Sequence, residues 1–155
     1  MLASMPHAVV ISGDREWTNL FIIREKIREL VQLHGSNLKV ISGGARGADK
    51  LAKTACGNLG IEKQFHEEMA DWIGRGRHIA GRERNERMLS MGISQIFAFK
   101  DKFDFTLCKG GTEHMCKIGV VAGVEVNLFS KNEWLILTGR YIANQLYADV
   151  KRVLM

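Results

Sequence analysis

The chain has 155 residues, a length that one domain accounts for, with 46% hydrophobic and 25% charged residues. That composition excludes a disordered tail, a collagen and a long coiled coil, and no apolar run approaches the ~20 residues of a membrane-spanning helix. Lys and Arg outnumber Asp and Glu by 22 to 17, and the resulting net charge of +5 suits an anionic partner, whether nucleotide or nucleic acid.

The predicted elements alternate. Ala8-Val9-Val10-Ile11 reads as a strand that ends at the turn Ser12-Gly13-Asp14. Leu20, Ile23, Ile27, Leu30 and Leu33 recur at three- and four-residue steps, the pattern of an amphipathic helix, with Gly35 as its stop. Leu38 to Ile41 is a second strand that runs straight into Ser42-Gly43-Gly44. A small-residue helix follows, with Ala48, Leu51, Ala52, Ala55 and Leu59 on one face. Ile61 to Phe65 is a third short strand, and Gly74-Arg75-Gly76 a basic loop. Helix resumes over Gly81 to Met91, strand over Ile93 to Phe99, helix after Gly110-Gly111-Thr112, and strand over Glu125 to Phe129. The apolar residues from Trp134 to Val153 predict a last helix over about 133–154, one that closes the sheet or packs against a second copy as a homodimer contact. Strands alternating with helices predict an α/β fold: three layers, Rossmann-like, with a mostly parallel sheet of about five strands and an extra C-terminal helix. The division is one domain over 1–155, with its core over about 8–129.

In such sheets ligands bind beyond the carboxyl ends of the strands, and that is where the glycines and charges fall. The segment Ser42-Gly43-Gly44-Ala45-Arg46-Gly47-Ala48-Asp49 follows strand two. Its glycines let backbone N–H groups approach an anion, the helix N-terminus adds partial positive charge, and Arg46 is placed to clamp a phosphate. It is neither a Walker loop nor a Gly-x-Gly-x-x-Gly fingerprint. Read structurally, the same segment is a tight turn with Asp49 capping a helix. Gly81-Arg82-Glu83-Arg84-Asn85-Glu86-Arg87-Met88 reads either as a solvated face with Glu83–Arg87 pairing or as a segment that sends Arg84 and Asn85 into the cleft. Lys109-Gly110-Gly111-Thr112-Glu113-His114-Met115 is a further glycine-to-helix junction, with Thr112 able to cap the helix or donate to phosphate. The first junction, Ser12-Gly13-Asp14-Arg15-Glu16-Trp17, offers Trp17 either to a base or to the hydrophobic lead-in of the helix. Ligand candidates are therefore Ser12, Gly13, Asp14, Arg15, Trp17, Gly43, Gly44, Arg46, Gly47, Asp49, Arg84, Asn85, Gly110, Gly111 and Thr112.

Together the four segments resemble the YspA/YpsA-related branch of the SLOG superfamily, over about residues 8–129. The resemblance implies a Rossmann-like domain that binds nucleotide-type ligands, in a family with many bacterial and bacteriophage members. The superfamily also includes the Lonely Guy phosphoribohydrolases, molybdenum-cofactor carrier proteins and the DprA core, which binds single-stranded DNA. Glu83-Arg84-Asn85 is similar to one Lonely Guy catalytic segment, and Gly110-Gly111-Thr112 to part of the other. The residue three after the threonine is Met115, where those enzymes carry glutamate. Glu83, Arg84 and Glu113 are the candidate catalytic groups, because N-glycoside cleavage needs a carboxylate to steady the sugar cation or activate water.

His66-Glu67-Glu68-Met69 is not a zinc-protease motif, and Cys56, Cys108 and Cys116 form no Cys-x-x-Cys pair, so free thiols and no metal or cofactor are expected. The first seven residues lack the features of a signal peptide. The expectation is a cytoplasmic protein with a nucleotide-type small-molecule ligand and no membrane partner, acting as sensor or sequestering protein. Phosphoribohydrolase activity and DprA-like binding of single-stranded nucleic acid are the alternatives. Arg75, Arg77, Arg82 and Arg87 would supply the charge for the latter.

Overall fold

A computed structural model describes residues 5–155, with the side chains of residues 77 and 78 outside the description. Strand β1 (His7–Gly13) leads to helix α1 (Leu20–His34), β2 (Leu38–Ser42) to α2 (Ala48–Asn58), and β3 is only Phe65–Glu67. A short helix α3 (Trp72–Arg75) precedes α4 (Arg77–Ser90), β4 (Gln95–Phe99), α5 (Gly111–Val121) and β5 (Glu125–Ser130). Strands β6 (Glu133–Ile142) and β7 (Gln145–Val153) end the chain. The sheet order is β3-β2-β1-β4-β5-β6-β7, parallel from β3 to β5 and antiparallel through β6 and β7. This is the expected α/β Rossmann-like architecture, with seven strands instead of about five.

The central strands bury both faces, and consecutive side chains divide between two cores. Val9, Ile11, Val40, Phe97 and Phe99 face α1 and α2, where they meet Ile23, Ile27, Ala52 and Ala55. Val10, Ile41, Ile96, Ala98, Val126 and Leu128 face the opposite layer, against Met88 of α4 and Met115 and Cys116 of α5. The helical spacing read from Ile23, Ile27 and Leu30 is thus the buried stripe of α1. Boundaries elsewhere shift: the third strand begins at Phe65 where Ile61 was expected, because residues Glu62–Gln64 form a single 3-10 turn, and α4 begins at Arg77, four residues before Gly81. Burial pushes the Cys56 thiol up to about 12 and raises Cys116 as well, whereas Cys108 is exposed on the β4–α5 loop.

The predicted C-terminal helix over 133–154 is a β-hairpin, so no C-terminal helix exists to form a homodimer contact. The apolar residues Leu135 and Leu137 alternate with half-buried Trp134 and Ile136, a period of two that the helical count absorbed. Trp134 stacks on Phe129, donates its indole N–H to Asn127 Oδ1 at 2.9 Å, and is covered by the Lys26 ammonium 3.8 Å from its ring centroid. Two-residue loops join the strands. Lys131 and Asn132 have φ of 51° and 62°, and Ala143 and Asn144 have 49° and 65°. Left-handed residues at both loop positions define the type I′ turn that suits a right-handed hairpin.

Ala143 holds a left-handed conformation that asparagine tolerates better, and glycine is the preferred second residue. The double substitution Ala143→Asn, Asn144→Gly should raise stability in urea denaturation by about 0.5–1 kcal/mol. In a helix the same pair would lower it by about 1 kcal/mol.

Candidate functional site

Parallel order reverses between β1 and β4, so the crevice opens at the carboxyl ends of those two strands. Each junction there is shaped by a close approach. A Cβ on Gly13 would lie 2.5 Å from the Phe99 carbonyl oxygen and 2.6 Å from Ala48 Cβ. A Cβ on Gly43 would lie 2.7 Å from Arg84 Cζ. Gly47, with φ of +79°, turns the chain against the Asp14–Arg15 backbone. Gly13 and Gly47 are required by contact with neighbouring backbone and so bring the junctions together, whereas a Cβ on Gly43 would displace only the end of the Arg84 side chain.

Two cavities of about 380 and 370 Å3 occupy the crevice and share Arg15, Arg84 and Gly111. The first is lined by Ser12, Gly13, Asp14, Arg15, Arg46, Asp49, Arg84, Lys100, Gly111 and Thr112. The second is lined by Trp72, Arg82, Asn85, Gly110 and His114 beside the shared residues. A smaller recess of about 150 Å3 adds Gly43 and Gly44. The structure therefore gathers thirteen of the fifteen ligand candidates around one cleft. Gly47 shapes the turn beneath the cleft, and Trp17 leaves it: its ring packs 5.6 Å from Phe99 and its N–H donates to Asn19 O.

Arg84 is the centre of the arrangement. Helix α4 carries it from the layer opposite α2, and Nη1 donates to Gly43 O at 3.1 Å. Its Nε is buried and has no hydrogen-bond partner among the described residues. Its guanidinium lies over the Trp72 ring, 5.6 Å from the centroid. Burial pulls Arg84 below its ordinary pKa, against the opposing charge of Asp49. Asp49, in the first turn of α2, is itself only 5% exposed and accepts from Ala45 N at 3.2 Å. Burial raises its carboxyl to about 6, although the Ala45 N–H and the Arg84 charge pull the other way.

The opposite wall is fixed by hydrogen bonds. Asn85 Nδ2 donates to Gly111 O and to His114 Nδ1, both at 3.1 Å. His114 accepts there only when neutral, and its pKa is lowered by burial and by Arg82. Glu113 is 1% exposed, pairs with Lys100 at 2.9 Å and accepts from Asp104 N at 2.9 Å. Both oxygens hold the β4–α5 loop, so this catalytic candidate lines none of the cavities of the cleft. Met115 is fully buried against the sheet, and the helix register thus sends no carboxylate from that position to the crevice. Glu83 pairs with Arg75 at 2.8 Å and Arg87 with Glu68 at 2.9 Å, so the expected Glu83–Arg87 pair is replaced by two contacts to other segments. Arg46 pairs with Glu16 at 2.6 Å at the exposed mouth.

Sequence reading missed Trp72 and Lys100 as cleft residues. Trp72 follows Asp71, whose side chain accepts from Gly74 N at 2.8 Å and caps α3. That Asp-Trp step before Gly74-Arg75-Gly76 was the available signal. Among the described residues no cluster of three metal-ligating side chains occurs, and no helix is long and apolar enough to cross a membrane.

The raised carboxyl of Asp49 has a consequence for stability. The unfolded carboxyl loses its proton near 3.8 and the folded one near about 6, so the folded state binds more protons between those values. Stability from this group falls as pH rises through that window. Asp49→Asn should be more stable than the parent by roughly 2–3 kcal/mol at pH 7 and about equal to it at pH 3.5, in urea titrations across pH.

Residues 7–72 match the model of the YspA, cpYpsA-related SLOG family. The chain is 29% identical over 123 residues to the Gene 61 protein of Mycobacterium phage D29, covering 76% of this chain and 92% of that one. Its fold is similar to DNA processing protein A from Streptococcus pneumoniae, with a TM-score of 0.58 and 15% identity over 80% of this chain and 50% of that one. It is similar also to DNA processing protein A from Helicobacter pylori, with a TM-score of 0.53 and 15% identity over 80% of this chain and 65% of that one. The chain thus spans half to two thirds of the solved proteins it resembles. Over residues 7–72, less than half of its length, the chain is thus similar to the YspA, cpYpsA-related SLOG family.

Proposed function

We propose that the cleft binds a nucleotide or nucleotide-derived small molecule and that the protein acts as a sensor or sequestering protein for it. The observation that carries this reading is Arg84: a half-buried arginine whose buried Nε has no partner among the described residues, at a crevice between two helix N-termini. A phosphate there would take that donor, the amides of Gly44 and Arg46 or of Gly111 and Thr112, and the partial positive charge of α2 or α5. Arg15 and Lys100 would add charge from the β1 and β4 ends. Trp72 would offer a face to the base, with Arg82 and His114 beside it.

The same features favour a second reading, single-stranded DNA binding. The solved Helicobacter pylori relative is described by its single-stranded DNA binding mode. An exposed tryptophan beside arginines is the stacking-plus-charge combination that such binding uses. Arg75 and Arg87 are engaged by Glu83 and Glu68, so Arg15, Arg82 and Arg84 would carry the contacts, while the Arg77 side chain lies outside the described residues.

Native mass spectrometry with a panel of nucleoside mono-, di- and triphosphates, scoring bound mass and released base together, tests the reading. Arg84→Ala should weaken the adduct at least tenfold, since charged hydrogen bonds contribute about 1.5–3 kcal/mol each. Released base would instead establish an N-glycosidase. No adduct, together with oligothymidylate binding that weakens steeply with salt, would establish the second reading.

A further inference from the structure

The two edges of the sheet are unlike. The β3 edge is three residues long, a length that protects an edge from pairing. The β7 edge runs nine residues, Gln145–Val153, with no proline in it, and among the described residues β7 pairs with β6 alone. Val150 and Tyr147 are exposed along it.

The hairpin register fixes which backbone groups are free. Ile142 and Gln145 close the two-residue type I′ loop, so that pair exchanges both hydrogen bonds. By alternation Tyr147, Asp149, Lys151 and Val153 turn their backbone groups to β6. Leu146, Ala148, Val150 and Arg152 turn theirs outward. Only registers that match these outward groups can extend the sheet.

An antiparallel partner of the same sequence must pair about a two-fold axis. An axis at Asp149 or at Lys151 sets like charges directly opposite, and one at Arg152 sets the two Arg152 side chains opposite each other. An axis at Ala148 pairs no opposite charges. With the axis at Val150, Val150 exchanges both hydrogen bonds with its copy and Ala148 bonds opposite Arg152. Asp149 then stands opposite Lys151 twice, at non-hydrogen-bonded positions where side chains come closest. The same register continues the apolar row: Leu137 lies beside Val150 within the hairpin, and Val150 would meet its counterpart.

We propose that β7 is a self-association edge, and that two copies join antiparallel about Val150 into one continuous sheet, with two Asp149–Lys151 pairs across the junction. The interface lies at the far edge from the cleft strands β1 and β4, so it stands independently of what the cleft binds.

Sedimentation velocity over about 1–100 μM protein reads the dimer directly. Asp149→Lys and Lys151→Asp should each raise the dimer dissociation constant at least tenfold, because each sets like charges opposite. Asp149 also pairs with Arg140 of its own protomer at 3.5 Å, so the double swap Asp149→Lys, Lys151→Asp is made together with Arg140→Gln and should return the constant to within about threefold of Arg140→Gln alone. Val150→Pro removes an outward N–H that β6 does not use, and should abolish the dimer while leaving the far-ultraviolet circular dichroism of the monomer unchanged. A parent that stays monomeric across the range overturns the proposal. So does a dimer that neither single substitution weakens, or that the double swap fails to restore.

Discussion

The peptide unit of Asp14 ties the carboxyl edge together. Its N–H donates to Phe99 O at 2.9 Å, and its carbonyl accepts from Trp17 N at 3.1 Å and Ala48 N at 3.2 Å. One turn therefore joins the end of β1 to the end of β4 and to the start of α2. The join is possible because Gly13 has no Cβ, so the strand can lie against the Phe99 backbone and Ala48 at once. Loss of that closeness would separate the Gly43–Asp49 turn from the β4 side, and Arg84 would have no common space to reach into. The cleft is thus a property of three strand ends held in register, with the side chains arranged upon them.

The parallel half of the fold was legible because its signals are local and repeated. Short apolar strands ending at Gly13 and Ser42-Gly43-Gly44, and the three-four spacing of Ile23, Ile27 and Leu30, specify strand, turn and helix within a few residues. The C-terminal hairpin was not, because a run such as Trp134-Leu135-Ile136-Leu137 satisfies either period over so short a stretch. The deciding cues were two Asn residues, Asn132 and Asn144, each second in a two-residue left-handed loop, with β-branched and aromatic residues between. The site residues divide likewise. Glycine junctions announce themselves in sequence. The distinction between Trp17 on Phe99 and Trp72 beside Arg84 is decided by which layer each segment packs on.

Charge at the cleft is arranged in grades. Arg46 at the mouth is neutralised by Glu16, both well exposed, and such a pair contributes little. Lys100 is held by the buried Glu113, whose other oxygen takes the Asp104 amide, so that carboxylate acts as a strut for the loop. Arg84 keeps its buried Nε without a partner among the described residues, next to an Asp49 carboxyl that burial makes easy to protonate. An anion entering this space meets successively less hydrated cations, and proton occupancy of Asp49 sets how much net positive charge it finds.

The cysteines follow the same geography and have a practical outcome. Cys56 and Cys116 are sealed inside the two cores, and burial keeps both as thiols. Cys108 is exposed, two residues before Gly110, on the loop that Glu113 pins to the cleft wall. A thiol-selective dye has one accessible address on the folded chain, and that address is a neighbour of the crevice. The unmodified sequence is therefore suited to single-site fluorescent labelling at the segment that any occupant of the cleft would lie beside.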